Sequence, residues 1–454
     1  MTEKAHSAAH VGIVGGGPSG LIMARALRAA GIEYELIERH TELGGIWDPE
    51  NPGSPMYESA HFISSKYTSY FYGYPMPEHY PDYPGYRQLR DYIRAFAAEY
   101  GLYDRATLGT GVASAELVDG RWQVELTDGQ RREYTHLVCA NGVTWEPNLP
   151  NYRGQDTFTG ELRHSSTFRF PAEFADRRVL VVGAGNSGVD IACDAALNAS
   201  AAFLSVRRGY RFIPKHIFGV PLDVFINEGG ELPAGITVPE DPSALIDALV
   251  GDLTRYGLPA PDHAALASHP IVNDQIIHHL NHGNITAKGD VKEFKGDTVL
   301  FADGSSEKID LVLFATGYEY SIPYVREDLF EWSHGHPQLY LNIFNRRVDN
   351  LYALGFIEFA DAAYHRFDEM AQLIAFDIGA TGEQQTQLAE LKRTDRPDLR
   401  GGMAYIDTPR HANYVETHVY QHVLAELRDR FGLPALTEHS YDRLRRQPAD
   451  AARG

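Results

Sequence analysis

Two stretches of this chain repeat one plan: an apolar strand, a turn built of glycines, and a helix. The first is HVGIVGGGPSGLIMARALRAAG, from His10 to Gly31; the second is RRVLVVGAGNSGVDIACDAALNASAAFLSVRRG, from Arg177 to Gly209. The last glycines of the two turns, Gly20 and Gly188, lie 168 residues apart. One strand–helix–strand unit needs only about 30 residues, so the repeats belong to separate modules. The chain is therefore expected to be an α/β protein with two dinucleotide-binding, Rossmann-like domains.

In the first turn Gly15, Gly17 and Gly20 fit G-x-G-x-x-G, with Gly16, Pro18 and Ser19 completing the loop. Backbone N–H groups and the helix dipole at such a turn hold a pyrophosphate. The following strand, YELIER, ends in Glu38, where a carboxylate accepts hydrogen bonds from a ribose diol. In the second turn Gly183, Gly185 and Gly188 repeat the spacing, with Asn186 and Ser187 between them. There the next strand ends in Ser205, Val206, Arg207 and Arg208 instead of an acid. A carboxylate would repel a 2′-phosphate, whereas Arg207 can pair with it and Ser205 can donate a hydrogen bond. The first module is thus read as binding FAD and the second as binding NADPH, which implies hydride transfer to a flavin. A disulfide reductase would need paired cysteines; the chain has only Cys139 and Cys193, both in apolar surroundings.

Between the modules, the Pro- and Tyr-rich stretch from Tyr67 to Tyr86 reads as an irregular excursion packed against the FAD domain. A helix from Arg87 is closed by Gly101, and ASAELVDGRWQVELTDGQ reads as a hairpin. Buried strands THLVCANG and LVLFATGY each return to a glycine. LYALGF, from Leu351 to Phe356, and a late helix in ANYVETHVYQHVLAELRDRFG are expected to complete the first module. The expected division is an FAD domain over 1–167 and 325–454, with an NADPH domain inserted over 168–324.

A net charge of -20 without a long basic run argues against a nucleic-acid partner. The opening MTEKAHSAAH has no signal-peptide pattern and no apolar run approaches membrane length, so a soluble cytoplasmic protein is expected, with no membrane partner. His278 with His282, and His418 with His422, have helical spacing but neither HExxH nor a clustered acid, and no metal site is assigned.

FTGELRHSSTF, from Phe158 to Phe168, lies between the two glycine turns. Phe158, Gly160, His164 and Phe168 satisfy F-x-G-x-x-x-H-x-x-x-(F/Y), and with this pattern the chain resembles the class B flavin-containing monooxygenases. The resemblance runs through GGGPSG, the GGIW of Gly44 to Trp47, SSKYTSYFYGYPMPEHYPDYP, GAGNSG with Asp190, and ATGY. It implies cofactor contacts at Arg39, Gly45, Ile46, Trp47, Val112, Asp190, Arg208, Thr316 and Gly317 besides the residues above. It also implies reduction of FAD by NADPH, addition of dioxygen at flavin C(4a), and a hydroperoxide that waits for a soft nucleophile while NADP⁺ is retained.

The implied activity is N- or S-oxygenation of a small molecule, with dioxygen as co-substrate. Baeyer–Villiger enzymes usually end the pattern in Trp, and Phe168 favours heteroatoms over ketones, which stay as the alternative. The four pattern residues read as an interdomain hinge. One departure stands out: the family's N-x-x-K element has Ile63 in place of Asn, so Ile63, Ser64 and Ser65 are the candidates facing the flavin. That loss of an amide keeps a third reading open, a non-oxygenating flavoprotein or NADPH oxidase with an interaction role. The sequence leaves the oligomeric state open, a homodimer being one option.

Overall fold

The computed structural model describes residues 9–227 and 242–446. The first module begins with β1 (His10–Val14), α1 (Pro18–Ala30) and β2 (Glu33–Glu38), followed by β3 (Ala106–Leu108) and β4 (His136–Cys139). The second comprises β5 (Glu161–His164), β6 (Arg178–Val182), α2 (Asn186–Asn198), β7 (Ala201–Ser205), β8 (Ile285–Lys288) and β9 (Leu311–Phe314). The chain then returns through β10 (Leu351–Ala353) and α3 (Tyr364–Gly379).

Two five-stranded parallel sheets result, ordered β10-β4-β1-β2-β3 and β8-β7-β6-β9-β5. Their central strands are runs of Val, Ile and Leu because a parallel sheet is covered on both faces. In each sheet the glycine turn leaves the central strand where the order reverses, the position at which open α/β sheets bind ligands. Pro18 opens α1, where its missing N–H costs nothing, and Gly31 ends the helix in the left-handed conformation at φ 71°.

The late segment returns to the first sheet. β10 pairs with β4, and α3 lies along α1, joined to it by an Arg25–Asp368 ion pair at 2.6 Å in which both side chains are 0% exposed. The Arg25 guanidinium also lies over the Phe96, Tyr100 and Tyr441 rings. The expected hairpin is present, Val112–Val118 with Arg121–Leu126, and its Asp119-Gly120 turn has both φ angles positive, as a twisted two-residue connection requires. In the aromatic excursion Phe71 stacks on Phe96 and Tyr364, so that stretch does pack on the first module. No helix among the described residues is long and apolar enough to cross a membrane.

The strand β5 pairs in parallel with β9, Glu161 opposite Leu311, so residues 161–164 belong to the second sheet. The structure thus draws the module boundary upstream of 161 and not at 167. ELRH is a short edge strand without an apolar run, so nothing local marks it as part of that sheet. The chain crosses between modules at Glu146–Pro147 and returns at Tyr318–Glu319, and these two crossings pair with each other as an antiparallel ribbon.

Breaking a fully buried ion pair leaves an uncompensated charge and costs about 3–5 kcal/mol. Asp368→Asn is therefore expected to lower the unfolding temperature markedly, followed by circular dichroism. A melting curve superimposable on that of the parent protein would show that Arg25 finds another partner.

Candidate active site

The start of α1 offers its first N–H groups no side chain: its N-cap is Gly17, with no capping hydrogen bond and no acid in the first turn. The same is true of α2, whose N-cap is Gly185. The late helix Thr417–Arg430 is capped by Glu416, which accepts from Val419 N–H at 2.7 Å, whereas α3 starts uncapped on Ala363; what sets α1 and α2 apart is that their uncapped starts follow a glycine turn at the end of a central parallel strand. Uncapped N–H groups with the positive end of a helix dipole are what a pyrophosphate needs.

The residues around the first loop pack closely against it. A Cβ on Gly20 would lie 1.8 Å from the Gly15 carbonyl oxygen, so only glycine lets the helix pack this close to the turn. Glu38, buried at the end of β2, accepts the Gly16 N–H at 2.6 Å through Oε2 and the His40 N–H at 2.8 Å through Oε1. Each oxygen keeps a lone pair for a further donor. Gly45 lies against Gly17, a Cβ on it being 2.8 Å from the Gly17 Cα, which brings the Gly45–Trp47 turn beside the loop. Trp47 packs edge-on against Phe62. Arg39 and Val112 sit at the margin; the Arg39 guanidinium donates to Pro52 O and lies over Trp145.

In the second loop a Cβ on Gly185 would meet nothing within 4 Å, so this loop faces open space. The Asn186 side chain is committed to the segment beyond, donating to Pro270 O and accepting from Val272 N–H. One turn along, Asp190 accepts from Asn273 Nδ2 at 2.6 Å and from the Tyr57 hydroxyl at 3.3 Å, and the Tyr57 hydroxyl also bonds Ser187. Burial pushes the Asp190 carboxyl up, against the pull of His61 and Lys215. At the end of β7 the Ser205 hydroxyl donates to Gly289 O at 2.8 Å, so its proton is already engaged. Arg207 is exposed and makes no hydrogen bond or ion pair among the described residues, and Arg208 turns toward the Tyr210 ring.

The pattern residues are packed into the second module. Phe168 is 0% exposed and stacks on Phe174 at 4.8 Å, and Phe158 packs edge-on against Phe294. A Cβ on Gly160 would collide with the Phe158 ring and the Asp310 carbonyl. His164 accepts from Ser166 N–H through Nδ1 and donates from Nε2 to Gly317 O at 3.0 Å, clasping the ATGY segment where it begins the return crossing. Burial lowers the imidazole's affinity for a proton, and the hydrogen bonds need the neutral ring. Thr316 donates to Asn148 O at 2.5 Å, tying the two crossings together.

The Ile63 neighbourhood is held from the other module. Ser65 donates both its N–H, at 2.9 Å, and its hydroxyl, at 2.8 Å, to Asp223 Oδ2; Ser64 shares a hydrogen bond with Ser69. Both hydroxyls therefore have protein partners, and Ile63 is half-buried. Sequence reasoning missed Asp223, and it missed Gly355, where a Cβ would approach the Ser19 hydroxyl to 2.6 Å. The signal for Gly355 was its place after a buried strand, in LYALGF, with a φ of 93°.

The flavin-binding monooxygenase-like family model matches residues 8–375. Flavin-containing monooxygenase 5 of Rattus norvegicus is 30% identical over 437 residues, covering 90% of this chain and 81% of the rat protein. Among solved structures, S-allyl-L-cysteine S-oxygenase from Allium sativum aligns with a TM-score of 0.66 at 20% identity, covering 96% of this chain and 92% of that one. An open structure of cyclohexanone monooxygenase also gives 0.66, at 18% identity, over 94% and 98% of the two chains. Both share its fold.

The two loops are expected to respond differently to a single methyl group. Gly20→Ala drives Cβ into backbone and should lower both the unfolding temperature and the flavin content. Gly185→Ala has room and should leave the unfolding temperature in place while raising KM for NADPH. Equal losses of stability in the two variants, measured by thermal melts, would contradict the open space at Gly185.

Proposed function

The chain belongs to the flavin-binding monooxygenase-like family, FAD- and NADPH-dependent monooxygenases, and we propose that it transfers one oxygen atom of dioxygen to the nitrogen or sulfur of a small nucleophilic substrate. The observation that carries this reading is the pair of uncapped helix starts, with a carboxylate at the end of the first following strand and an unpaired arginine at the end of the second. The flavin, when bound, supplies two-electron transfer and the activation of dioxygen. One oxygen atom goes to the substrate, and the other leaves as water with the two electrons of NADPH and two protons.

The protein's part is binding, orientation and exclusion of water. The α1 start and Glu38 would hold a pyrophosphate and an unphosphorylated ribose. The Gly185 loop would hold the second pyrophosphate, with Arg207 on the 2′-phosphate. His164, by fixing Gly317, positions the return crossing beside that site. Ile63 would present an apolar side chain where the family commonly has an amide, and the neighbouring serine hydroxyls are already engaged by Ser69 and Asp223. We place the FAD module on both sides of an inserted NADPH module, and the enzyme in the cytoplasm, where its two buried thiols stay free.

A hydrogen bond to a charged group contributes about 1.5–3 kcal/mol, so Arg207→Ala is expected to cost roughly tenfold to a hundredfold in KM for NADPH. KM for NADH should move little. An unchanged preference between the two nucleotides would remove Arg207 from the site. In the parent protein a thioether or tertiary amine should accelerate NADPH consumption; acceleration by ketones alone would replace heteroatom oxygenation with Baeyer–Villiger oxidation.

A further inference from the structure

Three distant segments meet on one carboxylate that neither glycine loop uses. The Tyr320 hydroxyl donates to Glu358 Oε1 at 3.2 Å, Arg410 donates to Oε2 at 3.2 Å, and His269 Nδ1 lies 3.7 Å from Oε2 while bonded to the Tyr414 hydroxyl at 3.1 Å. Burial would raise the Glu358 carboxyl, but the Arg410 guanidinium overcomes it and holds it below the usual carboxylate range. Burial also drives the His269 imidazole down to about 3, so at neutral pH the group is one carboxylate, one guanidinium and a neutral ring.

The place of this group in the fold links the two nucleotide loops. Glu358 follows by three residues Gly355, which approaches Ser19 of the first loop. His269 precedes Pro270, whose carbonyl accepts from Asn186 of the second. The group thus joins a segment that packs on the first loop to a segment that packs on the second.

Arg410 is built to receive an anion. Its side chain is 47% exposed although Glu358 is only 17% exposed. Of its five N–H donors, the bond to Glu358 uses one, and no other protein acceptor takes any among the described residues. The backbone that carries it is pinned: His336 donates to Pro409 O at 2.6 Å, Arg400 donates to Ala412 O at 2.7 Å, and His411 accepts the His269 N–H at 2.9 Å. A fixed planar fork with unused donors matches a carboxylate in two-point geometry. The adjacent Glu358 would repel a doubly charged phosphate but would attract an ammonium group. Resting on the oxygenase reading above, we infer that Arg410 and Glu358 form a receptor for an amino-acid substrate, with Arg410 on its carboxylate, and that the oxygenated molecule is a small thioether or amine acid.

The test compares S-methyl-L-cysteine with 2-(methylthio)ethanamine, the same thioether without its carboxylate, by NADPH consumption on FAD-loaded protein. The acid should have the higher kcat/KM, and Arg410→Ala should lower it roughly tenfold to a hundredfold, the range of one charged hydrogen bond, with much less effect on the amine. Arg410→Lys should recover part of the loss. Equal losses on the two thioethers would overturn the assignment. So would a rise in KM for NADPH matching the loss on the acid, since that places the guanidinium on a cofactor phosphate. If neither thioether is turned over, the oxygenase reading fails by itself, and binding still decides this one. S-methyl-L-cysteine should raise the unfolding temperature of the parent protein and not that of Arg410→Ala, and the same shift in both, or none in the parent, overturns it.

Discussion

Helices α1 and α2 each begin on a glycine that offers no oxygen to their first N–H groups, and the rest of the molecule is arranged around these two deficits. A helix start left this way in a protein interior is costly unless a ligand or water completes it. Here both starts lie at the point where the strand order of a parallel sheet reverses, the position at which such sheets bind ligands. The surroundings then differentiate the two. Glu38 is oriented by two backbone N–H groups, and Gly45 closes over the first loop, whereas the second faces open space next to an unpaired arginine.

What could be read from the sequence was what depends on neighbours along the chain. Glycine spacing, the charge at a strand end and the Asp119-Gly120 turn are local, and each appears in the structure as the residues imply. Membership of β5 in the second sheet was not legible, because a half-buried edge strand carries no apolar pattern of its own and exists only by pairing with β9. The engagement of the Ser205 hydroxyl by Gly289 depends on a contact 84 residues away, which no spacing rule anticipates. The Glu358 group joins residues 269, 320, 358 and 410, each unremarkable in its own surroundings. Polar sites assembled from single residues of distant segments leave no periodicity to find.

The contact between the modules is unusually polar where the 54–66 strap of the first meets the second. Ser59 donates to Asp194, Tyr57 to Asp190, Ser65 to Asp223, and His61 meets Lys215. The Asp194 carboxyl is raised to about 6 by burial, so the strap holds ionisable groups with little solvent around them. Such contacts are directional and exchangeable, unlike the close-packed apolar contact between α1 and α3, which fixes the first module internally. The seating of the modules combines these directional bonds with apolar contact, since Met56, Tyr57 and Ala60 are buried in one cluster with Phe168 and Val189 of the second module.

The ribbon of Glu146–Pro147 with Tyr318–Glu319 sets what that seating can do. Two separate linkers would let the inserted module translate, tilt and twist independently. Fastened to each other across two residues, they behave as one short torsion bar, and His164 grips it at Gly317. The two crossings are thereby bound to move together, so a displacement of one carries the other and the edge of the second sheet with it.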